Sequence, residues 1–172
     1  MDRIKFQQGW YVVYTKPRHE KKINDQLCKK VKTFLPLTRS LRKWSDRKKW
    51  VETPLFASYL FVYLEDLHQY NFTLGLNGVY TFIKNLGQIV QVPEHEISRI
   101  KYLLSNSENI SVANSRLKAG DFRKINFGPL AGLECKVVRC DGRDQTLVQI
   151  DSLNQVLKVD IKTKYLETTV SL

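Results

Sequence analysis

Between Arg39 and Trp50 the chain reads RSLRKWSDRKKW, in which Arg39, Arg42, Lys43, Arg47, Lys48 and Lys49 surround Trp44 and Trp50. Cations at this density attract phosphates, contacts that position a nucleic acid without reading its sequence. A tryptophan set among them offers a flat π-face on which an unpaired base can stack. The same indoles could instead fold back and brace the segment, and both roles stand at this level. No other chemistry is spelled out as clearly. His19, His68 and His95 lie far apart, and Cys28, Cys135 and Cys140 are scattered, so metal-ligand spacing is absent. There is no phosphate-binding P-loop, dinucleotide glycine pattern or nucleophile elbow. Glu65-Asp66, the only adjacent carboxylate pair, suits a helix start better than a catalytic metal. The chain therefore reads as a binder and not an enzyme, with no metal and no cofactor.

Charge placement agrees. The net charge of +11 follows from 28 Lys and Arg against 17 Asp and Glu. Residues 1–50 hold 15 basic against 4 acidic residues, an excess of 11, whereas residues 51–115 hold 3 against 6 and residues 116–172 hold 10 against 7. A local field of one sign favours a polyanion, either nucleic acid or an anionic membrane surface. Aromatics interleaved with the charge favour nucleic acid. No run of 18 apolar residues exists, so no membrane span is expected. MDRIKFQQGWYVVYTK lacks the apolar core of a secretory signal. An odd number of scattered cysteines fits reduced thiols, and a cytoplasmic monomer is expected.

These residues need elements to hold them. GWYVVY (residues 9–14) and YLFVYL (59–64) are β-branched and aromatic runs, the strongest strand signals. Pro17 suits a first helical turn, and Ile23, Leu27 and Val31 recur every four positions from Arg18 to Lys32, one stripe of a helix. Phe34–Leu37 reads as a short edge strand because of Pro36. Leu41–Trp44 and Lys48–Thr53 flank Ser45-Asp46-Arg47 as a hairpin. A helix is expected from Glu65 to about Leu76, a turn at Asn77-Gly78, a strand over Val79–Ile83, and a further strand from Leu86-Gly87 to Val92. Pro93-Glu94 opens a last helix with Ile97, Ile100, Tyr102, Leu103 and Leu104 as its apolar members. The polar run SNSENISVANS (105–115) reads as a linker. Short strands follow at Phe122–Phe127, Leu133–Arg139, Thr146–Ile150 and Val156–Ile161, punctuated by Gly128-Pro129, Asp141-Gly142 and Leu153-Asn154-Gln155. That pattern predicts a small β-barrel. The fold class is α+β: an antiparallel sheet flanked by helices, then a linker, then the barrel.

In order and spacing, GWYVVYTKPRHEKK, PLFASYLFVYL and GVYTFIKNLG resemble the N-terminal (NGN) domain of NusG-type transcription elongation and antitermination factors. AGDFRKINFGPLAGLECKVVR resembles the KOW motif, through Gly120-Asp121, Gly128-Pro129 and Gly132. The implied division is an NGN domain over 8–106, a linker over 107–115 and a KOW barrel over 116–172. RKWSDRKKWVETPLF is similar to the specialised RfaH/UpxY-type paralogues that act on capsular polysaccharide operons. The resemblance implies that the NGN domain binds the clamp helices of the large RNA polymerase subunit and makes pausing and termination less frequent. Tyr14, Phe56, Tyr59 and Phe61 would line the depression that receives those helices, although alternate residues of a strand are equally plain core. Lys16, Arg18 and Lys21 occupy places that meet the non-template strand, and the basic hairpin would lie beside upstream DNA. They are equally a solvated helix face. The KOW domain would bind Rho or a small-subunit ribosomal protein, and in one branch of the family it refolds as a helical hairpin; the β-rich runs here favour the barrel.

There are departures. The family usually has PLFPGY or PLFPNY where this chain has PLFASY, which alters the bend at Ala57-Ser58. The element that touches the polymerase gate loop is not matched by Gln69-Tyr70-Asn71-Phe72, with His68 out of step by one. Cys135 stands where a glycine is often found, so the turn after Leu133 is expected to differ. A rival of another class is a ribosome-associated RNA-binding KOW protein; the aromatic PLFASYLFVYL platform speaks for polymerase.

Overall fold

The structure, a computed structural model, describes residues 6–43, 48–107, 110–113, 123–124, 134–140 and 143–159. It falls into two compact units, Met1–Leu37 with Glu52–Glu94, and Thr38–Val51 with His95–Leu172.

The first unit is built on β1 (Gly9–Thr15), which pairs antiparallel along its whole length with β5 (Tyr59–Leu64). On its other side β1 pairs with β6 (Val79–Phe82) and, further along, with β9 (Gln91–Val92). β2 (Lys32–Phe34) closes the far edge against β5. The period of two sends Tyr11 and Val13 of β1 to the same face as Leu60, Val62 and Leu64 of β5. There they form one core with Ile23, Leu27, Val31 and Phe82. Each such side chain, fully buried, contributes about 1.5–3 kcal/mol. The stripe Ile23–Leu27–Val31 is thus inward, as its spacing predicts.

Its helix is shorter than expected. α1 spans Glu20–Leu27, and Pro17 lies before it. Arg18 has φ +65°, a left-handed conformation that turns the chain and delays the helix start. Val31 lies beyond the helix end, and its N–H reaches the Leu27 carbonyl at 2.9 Å. α2 (Leu67–Leu74) likewise starts later than Glu65, because Asp66 is its N-cap and accepts from the Gln69 N–H at 2.7 Å. Gly78 has φ +107°, and a Cβ there would meet His19 Cδ2 at 3.2 Å and Ile23 Cδ1 at 3.3 Å. Glycine is therefore required where this turn packs on α1. Leu86-Gly87 does not begin a strand. It is the turn between β7 (Lys84–Asn85) and β8 (Gln88–Ile89), with φ of +49° and +81°, the signs of a type I′ hairpin.

β3 (Leu37–Lys43) and β4 (Lys48–Pro54) form a two-stranded ribbon, longer on both arms than the sequence reading and excluding Pro36, which lies between β2 and β3. Its Ser45-Asp46-Arg47 turn lies outside the described residues.

In the second unit, α3 (Glu94–Asn106) buries Ile97, Ile100 and Leu103, while Tyr102 and Leu104 are half-exposed and not inward members. Ile110–Val112, read from sequence as linker, is a strand, β10. It pairs with β14 (Gln155–Val159), followed across the sheet by β13 (Arg143–Ile150), β12 (Glu134–Cys140) and β11 (Arg123–Lys124), all antiparallel. Ile110, Leu147, Val148, Ile150, Val156, Leu157 and Val159 are its buried residues. Among the described residues this is a five-stranded sheet; much of the KOW-like motif, with Gly128-Pro129 and Gly132, lies outside them. Cys135 is a regular strand residue paired with Val148. A single 3₁₀ turn, Asp151–Leu153, precedes β14, and Asn154 takes φ +50° to reverse the chain. Glu96 of α3, itself buried, accepts from the Ser152 hydroxyl and, at 3.4 Å, from the Ser152 N–H.

Candidate functional site

The face of the first sheet opposite the helical core carries Trp10, Val12 and Tyr14 of β1 beside Tyr59, Phe61 and Tyr63 of β5, by the same alternation. It is buried at Trp10, Val12 and Phe61 and opens to solvent towards Tyr14. Phe61 packs edge-on against Phe56, with centroids 5.9 Å apart, and lies 5.8 Å from Phe34. Phe56 and Phe61 are thus both buried, and form a floor. Tyr14 and Tyr59, directly paired across the strands, are the exposed and half-exposed rim, with their rings edge-on at 6.0 Å.

A third aromatic joins them that the sequence does not point to. β1 pairs Tyr14 with Thr81 but Thr15 with Val79, so the register shifts and Tyr80 is the extra residue. A bulge re-aims the side chain it carries. Tyr80 comes to lie 5.6 Å from Tyr14 and is 55% exposed, against 38% for Tyr14. Tyr59, Tyr14 and Tyr80 form a row across β5, β1 and β6. Burying aromatic rings is what protein partners use most, and phenol combines a large apolar face with a polar tip. The only hint in sequence was a tyrosine in GVYTF; the register shift that places it is a tertiary feature.

The chain bends at Ala57-Ser58 without a glycine or asparagine. Ser58 has φ +65°, where glycine or asparagine is the ordinary occupant. Its N–H donates to the buried Glu20 carboxylate at 2.7 Å, and its carbonyl accepts from the Thr15 N–H at 2.8 Å. Both peptide groups of a strained residue are thereby held, one by α1 and one by β1. Tyr59 follows immediately, so this clamp fixes where the tyrosine row begins.

Lys16, Arg18 and Lys21 are all exposed around the start of α1. Lys21 Nζ donates to the Glu52 carbonyl at 2.9 Å, which ties the base of β4 to α1. On the ribbon, Arg39, Lys48 and Lys49 are exposed. The side chains of Arg42, Lys43, Trp44 and Arg47 lie outside the described residues. Trp50, which sequence left open between stacking and bracing, is 66% exposed. Lys32 lies over the rings of Trp10 at 5.3 Å and Tyr63 at 5.1 Å, a cation–π arrangement on the opposite edge. In the stretch Gln69–Phe72, Tyr70 stacks on Phe82 at 4.6 Å and Lys30 lies 4.6 Å over Phe72, so both rings serve packing. His68 is exposed.

Among titrating groups, Tyr11 stands out. Burial pushes its phenol above the ordinary 10.0, partly countered by the hydrogen bond it donates to the Gln7 carbonyl. Among the described residues no cluster of three or more His, Cys, Asp or Glu could hold a metal ion, and no helix is long and apolar enough to cross a membrane.

Comparison with known proteins follows the same lines. A family model described as "Transcription termination factor nusG" matches residues 8–101. A protein of Streptococcus pyogenes serotype M3, "Transcription termination/antitermination protein NusG", is 26% identical over 157 residues, covering 83% of this chain and 87% of its own length. The relative from serotype M1 gives the same figures. The solved structure "Domain interaction in Thermotoga maritima NusG" superposes with a TM-score of 0.61 at 23% identity, covering 95% of this chain and 98% of that one; at that identity the likeness concerns the fold.

Proposed function

Because the chain belongs to the NusG family of transcription termination and antitermination factors, we propose that it docks on RNA polymerase through the tyrosine row and reduces pausing and termination. The observation that carries this is the exposed row Tyr59–Tyr14–Tyr80 above a buried Phe56–Phe61 floor. The partner is the pair of clamp helices of the large polymerase subunit. Tyr14 and Tyr59 touch it directly, while Phe56 and Phe61 act by holding the surface in shape. The polymerase so engaged presents upstream and non-template DNA to the exposed cations Lys16, Arg18, Lys21, Lys48 and Lys49. Such contacts supply affinity and orientation and leave sequence unread. The protein is a transcription factor and not an enzyme. Residues 8–106 serve as docking domain and 116–172 as KOW barrel, the barrel taking Rho or a small-subunit ribosomal protein, while the stretch 107–115 between them contributes β10 to the second sheet and is not a plain linker. The likeness of RKWSDRKKWVETPLF to the specialised paralogues supports action at polysaccharide operons.

The test is binding to purified RNA polymerase elongation complexes. Replacing Tyr14 and Tyr59 together by alanine removes two interfacial aromatics. A loss of about 2 kcal/mol, some 30-fold in Kd, is expected with the melting temperature little changed. Unchanged binding would return both tyrosines to a purely structural role. Wild-type protein that ignores polymerase and instead binds structured RNA tightly would favour the ribosome-associated alternative.

A further inference from the structure

Leu86 carries two costs with no burial in return. It is 97% exposed, and it holds φ +49° at the first central position of the β7–β8 turn. A leucine scattered on a surface needs no explanation. A leucine also kept in a left-handed conformation does, because asparagine or aspartate before Gly87 would make the same turn with less strain. A Cβ added at Gly87 would meet none of the described atoms within 4 Å, so the tip stands clear. The arm beneath it is nonetheless firmly rooted. Lys84 pairs with Ile89 and Asn85 with Gln88. The Val90 N–H donates to the Ile83 carbonyl at 2.9 Å, and the Ile83 N–H to the Val12 carbonyl at 2.8 Å. Ile89 packs against the core of the first sheet. An apolar side chain is thus presented at a fixed point and left almost wholly open.

We propose that Leu86 is a second docking anchor on RNA polymerase, seated in a shallow apolar pocket of the polymerase surface away from the helices that the tyrosine row engages. The inference rests on the functional proposal above and adds to it a contact point outside the row. Continuity with the row selects the partner. β6, which carries Tyr80, runs on into β7. The six residues from Tyr80 to Leu86 reach at most about 20 Å when extended, so one rigid macromolecule can touch both. Chemistry selects a protein surface. Lys84 is the only charged residue between Leu76 and Val92, too little charge to hold a polyanion. A single leucine likewise offers too little apolar area to hold a lipid surface. A fixed arm loses little freedom on binding, and two contacts with one partner reinforce each other when the arm spans both sites.

The test uses the full chain and purified core RNA polymerase free of nucleic acid. Leu86→Asn should raise Kd roughly 5- to 30-fold. It suits the turn and should melt no lower than wild type, so the weaker binding is not a loss of fold. Leu86→Met keeps an apolar side chain of similar volume and should stay within about threefold of wild type. A benzophenone amino acid at position 86 should crosslink to a polymerase peptide different from the one reached from position 14. The proposal is overturned if Leu86→Asn binds as wild type does, or if position 86 gives no crosslink or reaches the same peptide as position 14. It is also overturned if the free chain self-associates in sedimentation and Leu86→Asn abolishes this, which would assign the leucine to a second copy. A Tyr14→Ala, Tyr59→Ala double variant that binds as wild type, beside a weakened Leu86→Asn, would remove the tyrosine row and keep the anchor. Wild type that does not bind polymerase at all removes the functional proposal and the anchor with it.

Discussion

Replacing Glu20 by alanine tests how the strained bend before Tyr59 is maintained. The Glu20 carboxylate accepts the Ser58 N–H at 2.7 Å, and both residues are buried. A hydrogen bond to a charged group is worth about 1.5–3 kcal/mol, and a donor left buried without a partner costs about 1–3 kcal/mol. These are two views of one loss, so Glu20→Ala should destabilise by about 2–3 kcal/mol. For a chain of this length that corresponds to about 4–12 °C in Tm. Glu20→Gln keeps a carbonyl acceptor without the charge and should cost about half as much. The left-handed φ of Ser58 stores about 1–2 kcal/mol. Ser58→Gly should relieve it, offset by about 0.4–1 kcal/mol of added unfolded-state freedom. Urea unfolding of the two single variants and the double variant measures all three terms, with a non-additive coupling because the residues touch. Binding to polymerase should fall in Glu20→Ala even at temperatures where it is folded, since the bend positions Tyr59. A Glu20→Ala variant within 0.5 kcal/mol of wild type would refute the idea that this carboxylate holds the bend.

Two further changes probe the rest of the first unit. Leu86 is 97% exposed with φ +49°, so Leu86→Asn forfeits no burial and places a residue that suits a type I′ turn. A gain of about 0.5–1 kcal/mol is expected by thermal melting, and a loss would mean that Leu86 has packing the backbone geometry does not reveal. The Tyr11 phenol is held above 10.0 by burial, so below pH 10 both folded and unfolded forms keep the proton and stability is intact. As pH rises past 10 the unfolded chain ionises first, and stability falls until the folded phenol also ionises. Tyr11→Phe should cost about 1 kcal/mol at pH 7 through the lost hydrogen bond to Gln7 and should flatten the decline above pH 10. An unchanged alkaline profile would assign the decline to other groups.

The parts of the fold legible in sequence are those set by local pattern. YLFVYL is β5 to the residue, and Ile23, Leu27 and Val31 face one core. What the sequence hid depends on backbone signs and register. Arg18, Ser58 and Leu86 take positive φ although none is a residue type that announces it. The first shortens α1, the second bends the chain just before Tyr59, and the third turns an expected strand into a hairpin. At the site, the alternation of β5 put Tyr59 and Phe61 on one face, yet only burial separates rim from floor. Tyr80 was invisible because a shift in pairing register, and not a motif, brings it to Tyr14. Ile110–Val112 looked like linker because SNSENISVANS is polar; its partner β14 lies more than 40 residues on.

β1 has every one of its partners downstream: β5, then β6, then β9. During synthesis the central strand is made first and paired late. At about 5–20 residues per second, roughly 2–10 s separate the making of Thr15 from that of Leu64. For that interval GWYVVYT is a short, uncharged, β-prone segment, the kind that joins other chains edge to edge. Directly after it come Lys16, Arg18, Lys21 and Lys22. Charges flanking an unavoidable apolar strand act as gatekeepers against such association. Lys16, Arg18 and Lys21, proposed above to meet DNA, thus stand with Lys22 where such gatekeepers belong, and neutralising all four together is expected to lower soluble yield.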